Sequence, residues 1–156
     1  MKCAVDATIE YVKHLAQQLT GFDTSGVVLV ILLRLRIPTN YDGFEYLKTA
    51  ILLRNENPTW TMANDIYPEL RRRYGKYITD EQIETAIRTA ISMGWGRSNI
   101  QVWKIFFPTI LAEDEEKRPS STEFIYELAR IVELWCDCAA AYARQLSREE
   151  VGHGIK

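Results

Sequence analysis

The segment TDEQIETAIRTAISMGWGRSNI, residues 79–100, is the most informative part of this chain. Thr79 followed by Gln82 has the spacing of a capping box, in which a hydroxyl and an amide reciprocally satisfy the first free N–H groups of a helix. Ile83, Ala86, Ile87, Ala90, Ile91 and Gly94 then recur with helical periodicity, so one side of a helix over 79–95 is apolar. Asp80, Glu81, Gln82, Glu84, Thr85, Arg88 and Thr89 are left for the other side. Immediately upstream, TMANDIYPELRRRYG (61–75) carries a second stripe, Met62, Ile66, Leu70 and Tyr74, opened by Thr61 and closed by Gly75. Pro68 falls inside it and predicts a distortion, because proline lacks the N–H and crowds the carbonyl four residues back. Two helices joined by a short glycine-bearing turn form a helix-turn-helix over 61–95, whose second helix enters a DNA major groove in proteins that use it for recognition.

Working outward, the pattern is helical throughout. Residues 4–19 have loose helical periodicity and end at Gly21. Thr24 or Ser25 opens an apolar run, Val27 to Leu33, whose β-branched content suits a strand as well as a helix; Pro38 ends it. Asp42 and Gly43 begin a segment with Phe44, Leu47, Ile51 and Leu52 inward. A short helix is expected from Ser98 through Phe106, a charged loop over 112–119, and a long helix opened by the Ser120/Glu123 capping box and reaching about Leu146. Its inner residues include Phe124, Leu128, Ile131, Leu134 and Trp135, and the tail from Ser147 is expected to fray. The predicted fold is all-α and compact, with an N-terminal amphipathic helix (1–22), a main domain (23–135) containing the helix-turn-helix, and a C-terminal helical extension (136–156).

Composition narrows the function. At 156 residues the chain has enough length for one domain with a real core, and 47% apolar with 26% charged residues is globular. The net charge of -2 is a poor overall start for phosphate neutralisation. The distribution is uneven, however: Arg71, Arg72, Arg73, Lys76, Arg88, Arg97 and Lys104 outnumber the acids of residues 60–104, and the acidic excess lies after residue 105. Cys3, Cys136 and Cys138 are odd in number and without framework spacing, which reads as reduced thiols in a cytoplasmic protein. Cys136 and Cys138 lie two apart on a helix, face different ways, and have no histidine nearby, so no metal site is expected. His14 has no serine or cysteine to activate. No carboxylate pair or glycine-rich phosphate cradle supports catalysis, and neither an enzyme nor a cofactor is expected. Trp95, Trp103 and Trp135 read as core anchors. The apolar run at 27–33 is far shorter than the roughly 20 residues that cross a bilayer.

IPTNYDGFEYLKTAI (37–51), Tyr67-Pro68, AIRTAISMGWGRSNI (86–100) and RPSSTEFI (118–125), in that order and spacing, resemble the C-terminal effector domain of the sporulation-initiation response regulators. The Tyr-Pro inside a helix and the Trp-x-Arg-x-Asn-Ile exit at 95–100 make the likeness specific. It implies a helical DNA-binding fold, which turns the 27–35 ambiguity toward helix, together with short operator sites, a tandem dimer on DNA and contact with RNA polymerase. Too few residues precede the match for a phosphoacceptor receiver domain. Glu84 and Arg88 fall on the family's acidic and basic positions, whereas Gln82, Thr85 and Thr89 stand where its pattern carries Arg, Arg and His. The expectation is therefore a regulator that binds double-stranded DNA at a different operator. Gln82, Glu84, Thr85, Arg88 and Thr89 are the expected base contacts; Arg71, Arg72, Arg73, Lys76, Arg97 and Lys104 are the expected backbone contacts. The bland alternatives are an Arg88–Glu84 surface pair and arginines that merely complement a helix dipole. The competing function is a protein-interaction module, or an inhibitor of another regulator, that kept the fold and lost DNA binding.

Overall fold

The computed structural model describes residues 4–75 and 77–154, and among them there are helices and no strand. In order they are α1 (Ala4–Gln18), α2 (Thr24–Arg34), α3 (Asp42–Glu56), a π-helical turn (Met62–Ile66) running into α4 (Tyr67–Tyr74), α5 (Asp80–Arg97), α6 (Ile100–Phe106), α7 (Pro108–Glu113) and α8 (Ser121–Gly154). The ambiguous 27–33 run is helical. Val27, Val28, Ile31 and Leu32 are its buried side, and Asp23 rather than Thr24 caps it, its carboxylate accepting from the Gly26 N–H at 2.7 Å. After Leu35, Arg36 adopts a left-handed φ of 62°. The N–H groups of Arg36 and Ile37 turn back to the carbonyls of Leu33 and Leu32, the Schellman closure that glycine usually makes.

Helix α3 runs through the middle of the molecule, packed against α2, α4, α5 and α8. The core around it includes Leu47, Ala50, Ile51, Ile66, Leu70, Ile83, Ile87, Leu128 and Ile131, all nearly or fully closed to solvent. A second focus is aromatic. Trp103 of α6 meets Trp95 edge-on at 5.2 Å and stacks with Phe107 at 5.6 Å, and Phe107 stacks with Phe124 of α8 at 5.3 Å. Trp103 and Trp135 are therefore the expected core anchors; Trp95 is half-buried at the edge of the same cluster.

Three places differ from the sequence expectation. Residues 108–113 form α7, with Pro108 in its first turn where a missing N–H costs nothing, so the charged loop begins only after Glu113. The sixth helix starts at Ile100, because Asn99 supplies the cap by accepting from the Gln101 N–H at 2.9 Å. The last helix runs on to Gly154, past Ser147 where fraying is expected. Its extension runs alongside α1: Val5 and Ile9 lie by Leu134 and Asp137, and Lys13 and Gln17 by Tyr142 and Gln145. The same helix α1 is pinned to α6 and α7, where Tyr11 meets Phe106 edge-on at 5.3 Å and the Thr8 hydroxyl donates to the Ile105 carbonyl at 2.5 Å.

Candidate nucleic-acid interface

The Pro68 distortion takes a defined form. Both Asp65 and Ile66 N–H reach the Thr61 carbonyl, so the turn widens from α to π before α4 begins at Tyr67 with Pro68 in its first turn. Met62, Ile66 and Leu70 are buried as the stripe predicts. Tyr74 is half-exposed but anchored, its ring edge-on to Tyr46 at 5.2 Å and its hydroxyl 2.7 Å from that of Thr49. Gly75, at φ 144°, closes α4 and starts the turn into α5. The capping box is present: the Gln82 N–H donates to Thr79 Oγ1 at 3.1 Å, and the Thr79 N–H donates to Gln82 Oε1 at 3.0 Å.

Ile83, Ile87, Ala90, Ile91 and Gly94 sink the inner side of α5, while Ala86 is half-buried. Two glycines make the seat close. A Cβ on Gly43, in the first turn of α3, would stand 2.1 Å from the Ala86 carbonyl oxygen; one on Gly94 would stand 2.6 Å from Ile37 Cδ1 and 2.9 Å from the Leu35 carbonyl oxygen. The outward residues are Glu81, Gln82, Thr85, Arg88, Thr89, Ser92 and Gly96, all exposed. Ser92 and Gly96 are additions to the sequence reading. They follow Thr85 and Thr89 along the same face at steps of three and four residues, and extending the stripe past Thr89 would have found them.

Glu84 is turned inward from this face. Its carboxylate accepts from the Tyr67 hydroxyl of α4, from the Ser121 hydroxyl of α8 at 2.9 Å, and from Arg88 Nη2 at 3.2 Å. The Tyr67 pKa is raised, first by burial and then by the hydrogen bond to Glu84, so its hydroxyl stays a donor. One carboxylate thus ties three helices together and holds the Arg88 guanidinium at the rim of the outward face, with the Arg88 side chain 57% exposed.

The expected backbone contacts are dispersed and mostly paired. Arg71 bonds Asp80 across the turn. Arg72 makes a two-pronged contact with Glu69 through Nε and Nη2 at 2.9 and 2.5 Å, and Arg73 reaches the same carboxylate at 3.0 Å. The two guanidiniums hold the Glu69 carboxyl down to about 2. Lys104 bonds Glu115 of the charged loop. Lys76 lies outside the described residues. Arg97 falls roughly 180° around the helix from Arg88 and lines a hollow with Tyr11, Arg34 and Arg36, away from the outward face. The geometry therefore brings Gln82, Thr85, Arg88 and Thr89 together, places Arg71–Arg73 at the adjoining end of α4, and separates Arg97.

Residues 28–132 match the family described as sporulation initiation factor Spo0A C terminal. The chain belongs to that family. The Spo0A C-terminal family is a DNA-binding effector domain, and it is not an enzyme family. The match begins within α2 and ends at Val132 within α8, so α1 and the α8 extension that packs along it lie outside the Spo0A C-terminal region. The helix-turn-helix lies wholly inside it. No described helix is long and apolar enough to cross a membrane.

Proposed function

We propose that this protein is a cytoplasmic DNA-binding transcriptional regulator that inserts α5 into the major groove. Residues 23–135 act as the effector unit, while α1 and the α8 extension form an appended support. The observation that carries the reading is the display of α5: its apolar side is seated on α3, and its opposite face is open along its length. Arg88 is the principal base reader, as its forked guanidinium matches the two acceptors of a guanine edge. Thr85, Thr89 and Ser92 add short hydroxyl and methyl contacts, and Gln82 offers its free amide N–H groups while its oxygen holds the cap. Glu84 positions Arg88 and does not itself reach a base. Arg71, Arg72 and Arg73 meet phosphates by exchanging part of their carboxylate pairing, which makes non-specific affinity modest. Binding as a dimer and contact with RNA polymerase follow from the family.

Selection from a random duplex library, read at several salt concentrations, tests this reading. The expected result is one enriched sequence whose binding weakens steeply with salt. Arg88→Ala should lose about 1–3 kcal/mol of discrimination at one base pair. Arg72→Ala should weaken all sequences alike and flatten the salt slope by about one unit. No enriched sequence together with a flat salt response overturns the proposal in favour of a protein-interaction module.

A further inference from the structure

The hollow that Arg97 lines has a volume of about 720 Å³ and lies where α1, the end of α2 and the α5–α6 junction meet. Arg34, Arg36 and Arg97 bring three guanidiniums to it, and no carboxylate lines it. Like charges gathered in one concavity repel. Elsewhere such charge is answered: Arg71 has Asp80, Arg72 and Arg73 share Glu69, and Arg130 has Glu127. Here the partner is neutral or missing. Arg34 donates to the Tyr11 hydroxyl and stands 5.5 Å from the centre of that ring. Arg36 and Arg97 are exposed and make no ion pair among the described residues. Ser98, in the same wall, has a hydroxyl closed to solvent and without a hydrogen-bond partner among those residues, an orphan of the kind that a ligand satisfies. The rest of the lining is apolar: Leu33 of α2 with Val102 and Ile105 of α6.

This lining fits an anion attached to an apolar body. The forked N–H groups of a guanidinium match the oxygens of a phosphate, and a concave site lined by one sign of charge concentrates the opposite one. Three of them answer a diphosphate better than a single phosphate. The aliphatic wall and the Tyr11 ring give a flat, poorly hydrated group a place to rest, and the volume is that of small-molecule sites in general. We infer that this hollow binds a phosphorylated small molecule of the nucleotide class, with its phosphates on Arg34, Arg36 and Arg97 and its base toward Leu33 and Val102. Tyr11 belongs to α1, outside the Spo0A C-terminal region, so the pocket is completed by a helix that the matched family region does not include. It opens on the side of α5 away from Arg88, and its occupation does not depend on DNA binding.

Calorimetric titration of the full chain without DNA, using ADP, adenosine and inorganic phosphate in turn, is the test. ADP is expected to bind one to one and more weakly as salt rises, with adenosine and phosphate each at least about tenfold weaker. Arg97→Ala should raise the ADP dissociation constant by about tenfold to a hundredfold. Arg36→Gly should do the same while leaving the melting temperature unchanged or higher, because glycine suits the left-handed φ of 62° that Arg36 adopts. Binding lost through a damaged fold would lower both together. Arg130→Ala, which removes an exposed guanidinium outside the hollow, should leave the ADP affinity as it is. No binding up to about 1 mM ADP, affinity indifferent to Arg36 and Arg97, or phosphate binding as tightly as ADP overturns the inference. So does a duplex that binds in dependence on these arginines where ADP does not, which would assign them to the DNA backbone.

Discussion

The two sides of α5 are built on opposite terms. Inward, the helix is seated so tightly that Gly43 and Gly94 have no space for a methyl group, and Ile83, Ile87 and Ala90 are wholly closed to solvent. Outward, its side chains are exposed, and a Cβ on Gly96 would meet nothing within 4 Å. The inner side sets the angle at which the helix is presented, so its residues are answerable to backbone atoms of α3 and of the α2–α3 connection. The outer face is answerable only to whatever docks on it. Substitutions on the outer face can therefore change what is recognised while the presentation stays as it is.

Three matched glycine substitutions put that contrast at risk, beginning with the largest effect. Gly43→Ala forces α3 away from the Ala86 carbonyl and should cost about 3 kcal/mol or more, lowering the melting temperature by about 6–12 °C. A thermal melt within a degree of wild type would mean that α3 and α5 are not in this contact. Gly94→Ala meets the movable end of Ile37 as well as the Leu35 carbonyl, so a smaller loss of about 1–3 kcal/mol is expected in urea titrations. Two residues further on, Gly96→Ala should change sign, stabilising the protein by about 0.5–1 kcal/mol because the helix gains alanine's propensity and nothing is displaced. Equal losses at 94 and 96 would erase the distinction between the two sides.

The smallest effect is electrostatic and belongs to α4. Glu69 titrates at about 2 rather than its ordinary 4.5, held down by Arg72 and Arg73. A carboxyl whose folded-state pKa is depressed stabilises the fold above the unfolded value, and that contribution is lost as the pH falls through the folded one. Wild type should therefore exceed Glu69→Gln by about 1 kcal/mol or less at neutral pH, since the pair is close to the surface. The gap should close between pH 4.5 and about 2. A gap that persists at pH 2 would show that Glu69 acts through packing rather than charge.

Much of the architecture was written locally. The capping boxes at Thr79/Gln82 and Ser120/Glu123 have the hydrogen bonds their spacing predicts, and the apolar stripes of α3, α4 and α5 mark their buried sides. The Pro68 distortion was legible too, though its form, a widened π turn, required the Thr61 carbonyl to find two donors. Helix α7 escaped because a run of six residues starting at proline has too little length to show a period. The strand-or-helix ambiguity at 27–33 escaped for a different reason: the run is apolar at every position, exposed Leu29 and Leu33 included, so its pattern fits either period.

What the linear chain determined by itself is the set of helices, their caps, and which side of α5 is greasy, since these depend on neighbours within about four positions. What only the folded molecule decided is which charges are free. Spacing along the chain does show Arg88 four residues from Glu84. It does not show that Tyr67 and Ser121 take up the same carboxylate, that Asp80 and Glu69 occupy the arginines of α4, or that Arg97 ends on the far side beside Arg36. Electrostatic partnership depends on distance in space and on burial, and both are properties of packed helices rather than of the order of residues.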